Sequence, residues 1–266
     1  MHILVTGATG GIGKGICEVL SKEFSSRHPN LKLSVASSKS GERLDALVHA
    51  LRQTLPAVHG LSGDVTKPQA CQTLVNDAIR ANGEIDSLVC VAGASGPGKL
   101  ESLPLEQWDL TFQLNVRSVW LLAKAAFESL QKTRGSITAI ASMSGLHPHP
   151  GYGAYSPAKA ALIMLCRQLA QEWGPYGIRT NTVCPGMIRT PLTEAVYHDA
   201  TTKSQREALV PVQRIGHPQD IGEAVKYLIS ANASYVNGMN LVVDGGVSDH
   251  MLSMIPGRPG KKPVEC

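Results

Sequence analysis

Short apolar runs alternate with longer amphipathic stretches along most of the chain. The runs that have the length of buried strands are residues 3–5, 31–36, 58–61, 85–92, 136–141, 178–183 and 240–243. Apolar residues recur at helical spacing between them, and the predicted helices cover residues 14–24, 41–55, 68–81, 105–130, 158–173 and 220–230. Strands that alternate with helices predict an α/β, Rossmann-like fold, with one doubly wound parallel sheet and helices on both faces.

Two stretches depart from this alternation. Residues 191–210 are polar and irregular, and we expect them to form a mobile helical flap. From Ser248 onwards we expect a loosely ordered tail, part of which is rich in proline and glycine. Because no linker, repeat or charge run divides the remainder, we predict a single domain over residues 1–247 and a tail over residues 248–266.

The composition is that of a folded protein with modest charge. Of its 266 residues, 43% are hydrophobic, so the chain can bury a large core, and its net charge is only +4. Lysine and arginine are scattered, which argues against nucleic-acid binding, and no apolar run reaches the roughly 20 residues that span a membrane. Its six cysteines form no C-x-x-C pair. We therefore expect a cytoplasmic protein whose partner is a small molecule, not a nucleic acid or a membrane.

A glycine-rich turn follows the first strand at once. It runs from Thr6 to Gly13 with the sequence Thr-Gly-Ala-Thr-Gly-Gly-Ile-Gly, and a helix follows it. This is the context that a dinucleotide-binding loop requires, because glycines let the backbone approach the pyrophosphate and the helix N-terminus offers free N–H groups. The loop residues expected to bind the cofactor are Gly7, Thr9, Gly10, Gly11, Ile12 and Gly13.

Candidate acid–base chemistry follows the fifth strand. Tyr155 and Lys159 stand four residues apart, and Pro157 suits the first turn of a helix, so both side chains should share one helix face. A neighbouring ammonium lowers the pKa of a phenol from about 10 towards the working range of a general acid or base. Ser142 ends the fifth strand, where its hydroxyl can hold a substrate oxygen. Taken singly, these patterns also fit a chance surface pair and a turn cap.

The end of the second strand bears on the choice of cofactor. An acidic residue there would bind the adenosine ribose of NAD(H) and repel the 2′-phosphate of NADP(H). No Asp or Glu occurs over residues 31–41, whereas Ser37, Ser38 and Lys39 follow the strand and Arg43 lies one turn later. These hydroxyls and cations favour NADP(H) over NAD(H), although Lys39 also fits an ordinary exposed lysine.

Together these motifs resemble the classical form of the short-chain dehydrogenase/reductase family, over about residues 1–247. Thr6-Gly7-x-x-x-Gly11-x-Gly13 is similar to its cofactor loop. The spacing of Gly7, Gly10 and Gly13 also fits the extended subgroup, which includes epimerases and dehydratases, but the compact length and the ending over residues 237–246 favour the classical form. The residues that match the family's catalytic tetrad are Asn115, Ser142, Tyr155 and Lys159.

The resemblance also implies the remaining cofactor contacts. Asp64 resembles the acidic residue at the adenine, and Val65 resembles its backbone partner. Ala92-Gly93 resembles the end of an Asn-Asn-Ala-Gly motif, in which cysteine and valine replace both asparagines here. The other implied contacts are Asn115, Tyr155, Lys159, Pro185, Gly186, Ile188 and Thr190.

The implied activity is hydride transfer between NAD(P)(H) and a carbonyl or secondary alcohol, as in a 3-oxoacyl reductase or a ketone/alcohol dehydrogenase. Tyr155 would be the general acid or base, Lys159 would lower its pKa and hold the ribose, and Ser142 would position the substrate oxygen. Asn115 would lie at a helix irregularity and anchor a water that relays protons to Lys159. The residues expected to line the substrate pocket are Ser142, Ser144, His147, His149, Tyr152, Tyr155 and Met187, with the flap.

Two other functions fit the same fold: a non-catalytic redox sensor that binds a dinucleotide, and an epimerase or dehydratase. Retention of the whole tetrad favours the oxidoreductase. The resemblance and two largely apolar helices, around residues 116–130 and 158–169, favour a homotetramer or homodimer. No metal site is expected, because His147 and His149 lie among prolines with no third ligand near in sequence.

Overall fold

The protein, represented by a computed structural model, is described over residues 1–24 and 28–250. Seven parallel strands form one sheet in the spatial order β3-β2-β1-β4-β5-β6-β7. They are β1 (His2–Thr6), β2 (Lys32–Ser37), β3 (Val58–Ser62), β4 (Ser87–Cys90), β5 (Ser136–Ile140), β6 (Arg179–Pro185) and β7 (Asn240–Val243). The strand order reverses between β1 and β4, so the predicted doubly wound α/β sheet is confirmed.

Eight α-helices lie within the described residues and cover both faces of the sheet. They are α1 (Gly11–Val19), α2 (Glu42–Arg52), α3 (Pro68–Asn82), α4 (Leu105–Phe112), α5 (Ser118–Thr133), α6 (Tyr155–Trp173), α7 (Ala200–Leu209) and α8 (Pro218–Ile229). Leu4 of β1 belongs to the core cluster under α3, α5 and α6, whereas Ile3 and Val5 belong to the cluster under α1, α2 and α8. This division follows from the strand geometry, in which successive side chains point to opposite faces.

The predicted elements differ from the observed ones mainly at their ends. Strand β4 ends at Cys90 rather than at Ala92, because the chain there turns into the wall of a cleft. The helical stretch predicted over residues 105–130 is divided into α4 and α5 by a π-helical turn over Gln113–Arg117. Among the helices of the described residues, none has both the length and the apolar character needed to cross a bilayer.

The flap and the tail are described in part. The flap contains a 3-10 turn over Glu194–Tyr197 and helix α7, whose N-terminus is capped by the Asp199 carboxylate. Its mobility stays a prediction. A 3-10 turn over Val247–Asp249 extends regular structure past the predicted domain end at residue 247, and residues 251–266 of the predicted tail lie outside the described residues.

Candidate active site

A cleft of about 440 Å³ opens beyond the carboxyl ends of the central strands. It lies where the strand order reverses, which is the usual ligand position in open parallel α/β sheets. Predicted cofactor residues on its wall are Gly7, Thr9, Gly10, Gly11, Ile12, Gly13, Ser37, Ser38, Asp64, Val65, Ala92, Gly93, Tyr155, Lys159 and Thr190. Wall residues outside the predicted set, most of which adjoin a predicted residue in sequence, include Gly63, Ala94, Ser95, Leu114 and Leu192.

The glycine-rich turn is held by backbone contacts that leave no room for side chains. A Cβ atom added at Gly13 would lie 2.2 Å from the Gly7 carbonyl oxygen, and one at Gly7 would lie 2.6 Å from a backbone nitrogen beyond β4. At Gly11 it would lie 2.6 Å from the Thr190 side chain. At Gly10 the nearest atom would be 3.3 Å away, so this position is the most tolerant of the four. The geometry therefore requires the glycines of the classical spacing more strictly than the middle glycine of the extended spacing.

Asn115 lies in the π-helical turn between α4 and α5 and is completely buried. Its Nδ2 donates to the carbonyl oxygens of Ala94 and Thr111, each at 2.9 Å. Its Oδ1 has no hydrogen-bond partner among the described residues. A Cβ atom added at Gly93 would lie 2.7 Å from this Oδ1 and 3.3 Å from Lys159 Nζ, so both groups flank the same glycine. A buried oxygen without a donor is the kind of site that an ordered water satisfies.

Lys159 is buried on α6 beside the cleft. Only 4% of the residue is exposed, and Nζ donates to the Ile140 carbonyl oxygen at 2.8 Å. Burial lowers the pKa of Lys159 to about 8, because the ammonium loses its contact with water. Nζ lies 5.6 Å from the centroid of the Tyr155 ring, so the predicted juxtaposition of ammonium and phenol ring is present.

The pKa of the Tyr155 phenol is raised rather than lowered. Burial is the largest cause, and it outweighs a hydrogen bond with Ser142 that favours the phenolate. The lowered pKa that was expected beside Lys159 is therefore not seen in the protein alone, because burial disfavours the phenolate more strongly than the hydrogen bond favours it. Ser142 also caps the 3-10 turn over Met143–Gly145, where its Oγ accepts from the Ser144 N–H at 3.1 Å. The alternative role of Ser142 as a turn cap thus coexists with its contact to the phenol.

The cations predicted near the adenosine ribose occupy different places. Lys39 is exposed and does not lie on the cleft wall. The Arg43 guanidinium donates to the Thr9 carbonyl oxygen at 3.4 Å, and Thr9 Oγ1 lies 3.1 Å from Ser37 Oγ. The structure therefore brings Arg43, and not Lys39, to the glycine-rich turn.

Asp64 and the segment after β6 complete the predicted cofactor set. Asp64 Oδ1 accepts from the backbone N–H and the hydroxyl of Thr66, and these bonds lower the pKa of its carboxyl group. Thr190 is held by its N–H bond to Thr193 Oγ1 at 2.9 Å. Five predicted cofactor residues lie off the cleft wall: Lys39, Asn115, Pro185, Gly186 and Ile188.

A second cavity of about 210 Å³ contains part of the predicted substrate pocket. Ser144, His147 and His149 line it, together with Met143, Pro148, Val247 and Ser248. Tyr152 stacks on His149 with ring centroids 3.7 Å apart and lies 6.3 Å from the Tyr155 ring. Met187 does not join this group; it lines a separate cavity of about 90 Å³ with Ile188.

Comparisons with known proteins show which chains this one is similar to. A family model described as enoyl-(acyl carrier protein) reductase matches residues 7–248. Dehydrogenase/reductase SDR family member 4 of Bos taurus is 32% identical over 250 residues, which cover 93% of this chain and 87% of the relative. Cyclopentanol dehydrogenase of Comamonas testosteroni is 34% identical over 247 residues, which cover 92% and 95%. The solved structure of a double mutant of a Serratia marcescens short-chain dehydrogenase/reductase has a TM-score of 0.84 at 28% identity and covers 93% of this chain and 97% of its own.

Proposed function

The chain belongs to the short-chain dehydrogenase/reductase family, and on that premise we propose that it is an NAD(P)(H)-dependent oxidoreductase acting on a carbonyl or secondary alcohol. The observation that carries the proposal is the placement of Tyr155 and Lys159 together on the wall of the cleft beside the glycine-rich turn, with Ser142 acting on the Tyr155 phenol. A sensor that only binds a dinucleotide would have no use for the contact between phenol and serine hydroxyl.

The cleft suits a nicotinamide dinucleotide. At Gly7 and Gly11 the cleft wall is backbone without side chains, so a ligand can approach the main chain closely. The N-terminus of α1 offers free N–H groups for a pyrophosphate. The Asp64 carboxylate, held by Thr66, lies on the wall where an adenine amino group would be bound. When bound, the nicotinamide supplies or accepts the hydride.

The protein's own groups would handle the proton. Tyr155 gives its proton to the carbonyl oxygen in reduction and takes it back in oxidation. Ser142 Oγ accepts from Ser144 N–H, and when a substrate binds, the Ser142 proton that favours the phenolate would turn to hold the same carbonyl oxygen. Lys159, whose pKa is about 8, exchanges its proton near neutral pH. A water on Asn115 Oδ1 would connect it to solvent.

We further propose that the cofactor is NADP(H). The end of β2 carries no acidic residue. Ser37 and Arg43 supply a hydroxyl and a cation that contact Thr9, and Ser38 supplies a second hydroxyl on the cleft wall. A 2′-phosphate is bound well by charge-assisted hydrogen bonds, whereas the ribose of NAD(H) would find no carboxylate there.

The protein is proposed to be a cytoplasmic homotetramer or homodimer. The five cysteines of the described residues are all free and buried, as expected in a reducing compartment. Trp120 on α5 is 42% exposed and Met164 on α6 is 59% exposed, and pairing of these helices across a two-fold axis would bury both. Light scattering at micromolar concentration should give a multiple of 28.3 kDa, and a monomer would exclude this assembly.

The activity is tested by following the nicotinamide absorbance at 340 nm with a panel of ketones, aldehydes and quinones. We expect loss of absorbance with at least one carbonyl class and not in its absence. Binding of the cofactor without turnover across the panel would favour a redox sensor. Conversion of a substrate without net consumption of the cofactor would favour an epimerase.

A further inference from the structure

Five residues follow one another in a circuit beside the second cavity. Ser142 accepts from the N–H of Ser144, whose hydroxyl lies 3.1 Å from His149 Nδ1. The His149 ring stacks on Tyr152, with centroids 3.7 Å apart and planes inclined by 25°. Tyr152 lies 6.3 Å from the Tyr155 ring, and Ser142 is near enough to the Tyr155 phenol to act on its pKa, in the lowering direction. We call these residues the His149 circuit; it connects His149 to the groups proposed to hold the reacting carbonyl.

The position of His149 is fixed from three sides. Its backbone N–H donates to Ser156 Oγ at 3.1 Å, its ring plane is set by Tyr152, and Nδ1 is engaged by Ser144. Nε2 is left without a partner among the described residues. Burial, with a smaller effect of Arg206, lowers the pKa of His149, so the imidazole is neutral at pH 7. A neutral imidazole presents one donor and one acceptor nitrogen, and the Ser144 hydroxyl can complement either.

The cavity around this imidazole suits an uncharged group. His149 and Ser144 share its wall with the apolar side chains of Met143, Pro148 and Val247 and with two more uncharged or neutralisable ones, His147 and Ser248. No Lys, Arg, Asp or Glu is among the described residues that line it. A volume of about 210 Å³ accommodates several carbon atoms. In a largely apolar pocket, a few fixed polar groups set which ligand is accepted and how it is oriented.

We propose that His149 recognises a second oxygen function of the substrate, a hydroxyl or carbonyl placed a few carbon atoms from the reacting carbonyl on an uncharged chain or ring. Ser144 is the positioning residue that holds the imidazole for this contact. The inference rests on the proposed carbonyl reduction, and it adds the substrate class: hydroxyketones and diketones rather than simple ketones.

Matched substrate pairs test this inference. The pairs are cyclohexanone with 4-hydroxycyclohexanone and 1,4-cyclohexanedione, and pentan-2-one with 5-hydroxypentan-2-one. The wild type should prefer the members with a second oxygen in kcat/KM by about three- to tenfold, which is the effect of one net hydrogen bond. His149→Leu should remove this preference, while the affinity for NADPH, measured by its fluorescence, stays unchanged.

Two further variants separate contact with the substrate from a structural role. His149→Asn keeps a polar atom near Nδ1, so it can retain the bond to Ser144, but it has nothing at Nε2 and should lose the preference. His149→Gln reaches the Nε2 position and should recover part of it. Ser144→Ala should weaken the preference, because the imidazole is then less well held. The matched control is His59→Leu, since His59 is exposed on β3 and should leave the preference intact.

The outcomes distinguish this inference from the proposed function. If the wild type reduces simple ketones as efficiently as their oxygen-bearing partners, the role of His149 is overturned and the reductase remains. The role of His149 is also overturned if His149→Asn keeps the full preference, because the bond to Ser144 would then account for the preference without any contact between Nε2 and the substrate. If the wild type binds NADPH but reduces no member of the panel, both proposals fail.

Discussion

The two cavities beside α6 are built in different ways. The larger one is walled by glycines and strand ends, and a Cβ atom added at Gly7, Gly11 or Gly13 would collide with its neighbours. The smaller one is walled by side chains from the loop after β5 and from the turn after β7. The first shape is fixed by backbone and suits a ligand common to many proteins. The second depends on side chains such as His149, which can change without disturbing the fold, and this is where substrate choice can vary.

Loss of the Tyr155 phenol should have the largest effect on turnover. Tyr155→Phe should lower turnover by about 10²–10⁴, the range typical for loss of a general acid or base. The affinity for NADPH should change little, because the glycine-rich turn is untouched. Steady-state kinetics combined with a fluorescence titration measure both quantities. Retention of more than about a tenth of the activity would exclude Tyr155 as the proton donor.

The rates of reduction and oxidation should depend on pH in different ways, because both use the Tyr155 phenol. Because burial raises the pKa of Tyr155, the phenol is protonated at neutral pH and ready to act in reduction. Reduction should therefore hold its rate at neutral pH, and alcohol oxidation should rise as the pH increases towards the alkaline range, where the phenolate forms. Initial rates in both directions across this range check the sign, and oxidation that is fastest at acidic pH would contradict it.

A test of the backbone-built cavity compares two glycines of the turn. Gly13→Ala places a methyl group 2.2 Å from the Gly7 carbonyl and should lower cofactor affinity by about tenfold or more, because the turn must deform. Gly10→Ala meets its nearest atom only at 3.3 Å and should have a much smaller effect. Equal losses in the two variants, measured by titration with NADPH, would mean that the extended spacing describes the turn as well as the classical one.

Lys159→Met should separate function from stability. Cofactor affinity and turnover should both fall, by about tenfold in affinity if one charge-assisted bond to the ribose is lost.

The free energy of unfolding of Lys159→Met should rise by about 1–3 kcal/mol at pH 7, because a buried ammonium is removed. The folded-state pKa of about 8 lies below the ordinary 10.5, so the penalty is full below pH 8 and fades as the pH rises to 10.5. Denaturant unfolding of this variant and of the exposed control Lys99→Met measures it; a destabilised Lys159→Met would contradict the account.

The smallest effect is expected at the adenosine end. Arg43→Ala should reduce the preference for NADPH over NADH by about 1 kcal/mol, because it removes the guanidinium beside Thr9 that would make a charge-assisted hydrogen bond to the 2′-phosphate. Lys39→Ala, which changes an exposed lysine away from the cleft wall, should erode it less. Ratios of kcat/KM with the two cofactors decide the matter. A wild type that prefers NADH would show that the missing carboxylate at the end of β2 does not determine the choice.

The contrast between the cavities also explains what the sequence could predict. The strands could be predicted from the sequence because buried parallel strands are nearly continuous apolar runs. The cofactor turn could be predicted because its backbone leaves no room for side chains at Gly7, Gly11 and Gly13, so the glycines appear as a pattern. A helix irregularity at Asn115 is implied by the family resemblance alone, and its π-helical form is seen only in the structure, since helical periodicity gives no sign of it. The raised pKa of Tyr155 depends on burial, which only the assembled fold determines.

The contacts within the substrate pocket could not be predicted from the sequence, because they too depend on the assembled fold. Ser144 and His149 were both predicted to line the pocket, but their mutual bond depends on how the loop after β5 folds back. Met187 was predicted beside them and lies in a different cavity, because the chain after β6 packs against the segment around Gly216. Proximity of this kind is set by tertiary packing and leaves no local pattern.

The central claim is hydride transfer, and transfer of deuterium tests it most directly. The wild type is incubated with NADPH or NADH carrying two deuterium atoms at nicotinamide C4 and with the carbonyl compound that it reduces best, and the alcohol is analysed by mass spectrometry. We expect one deuterium on the carbinol carbon, with the yield of alcohol strongly reduced in Tyr155→Phe. An alcohol without deuterium, or a bound cofactor that transfers none to any carbonyl tested, would contradict the account.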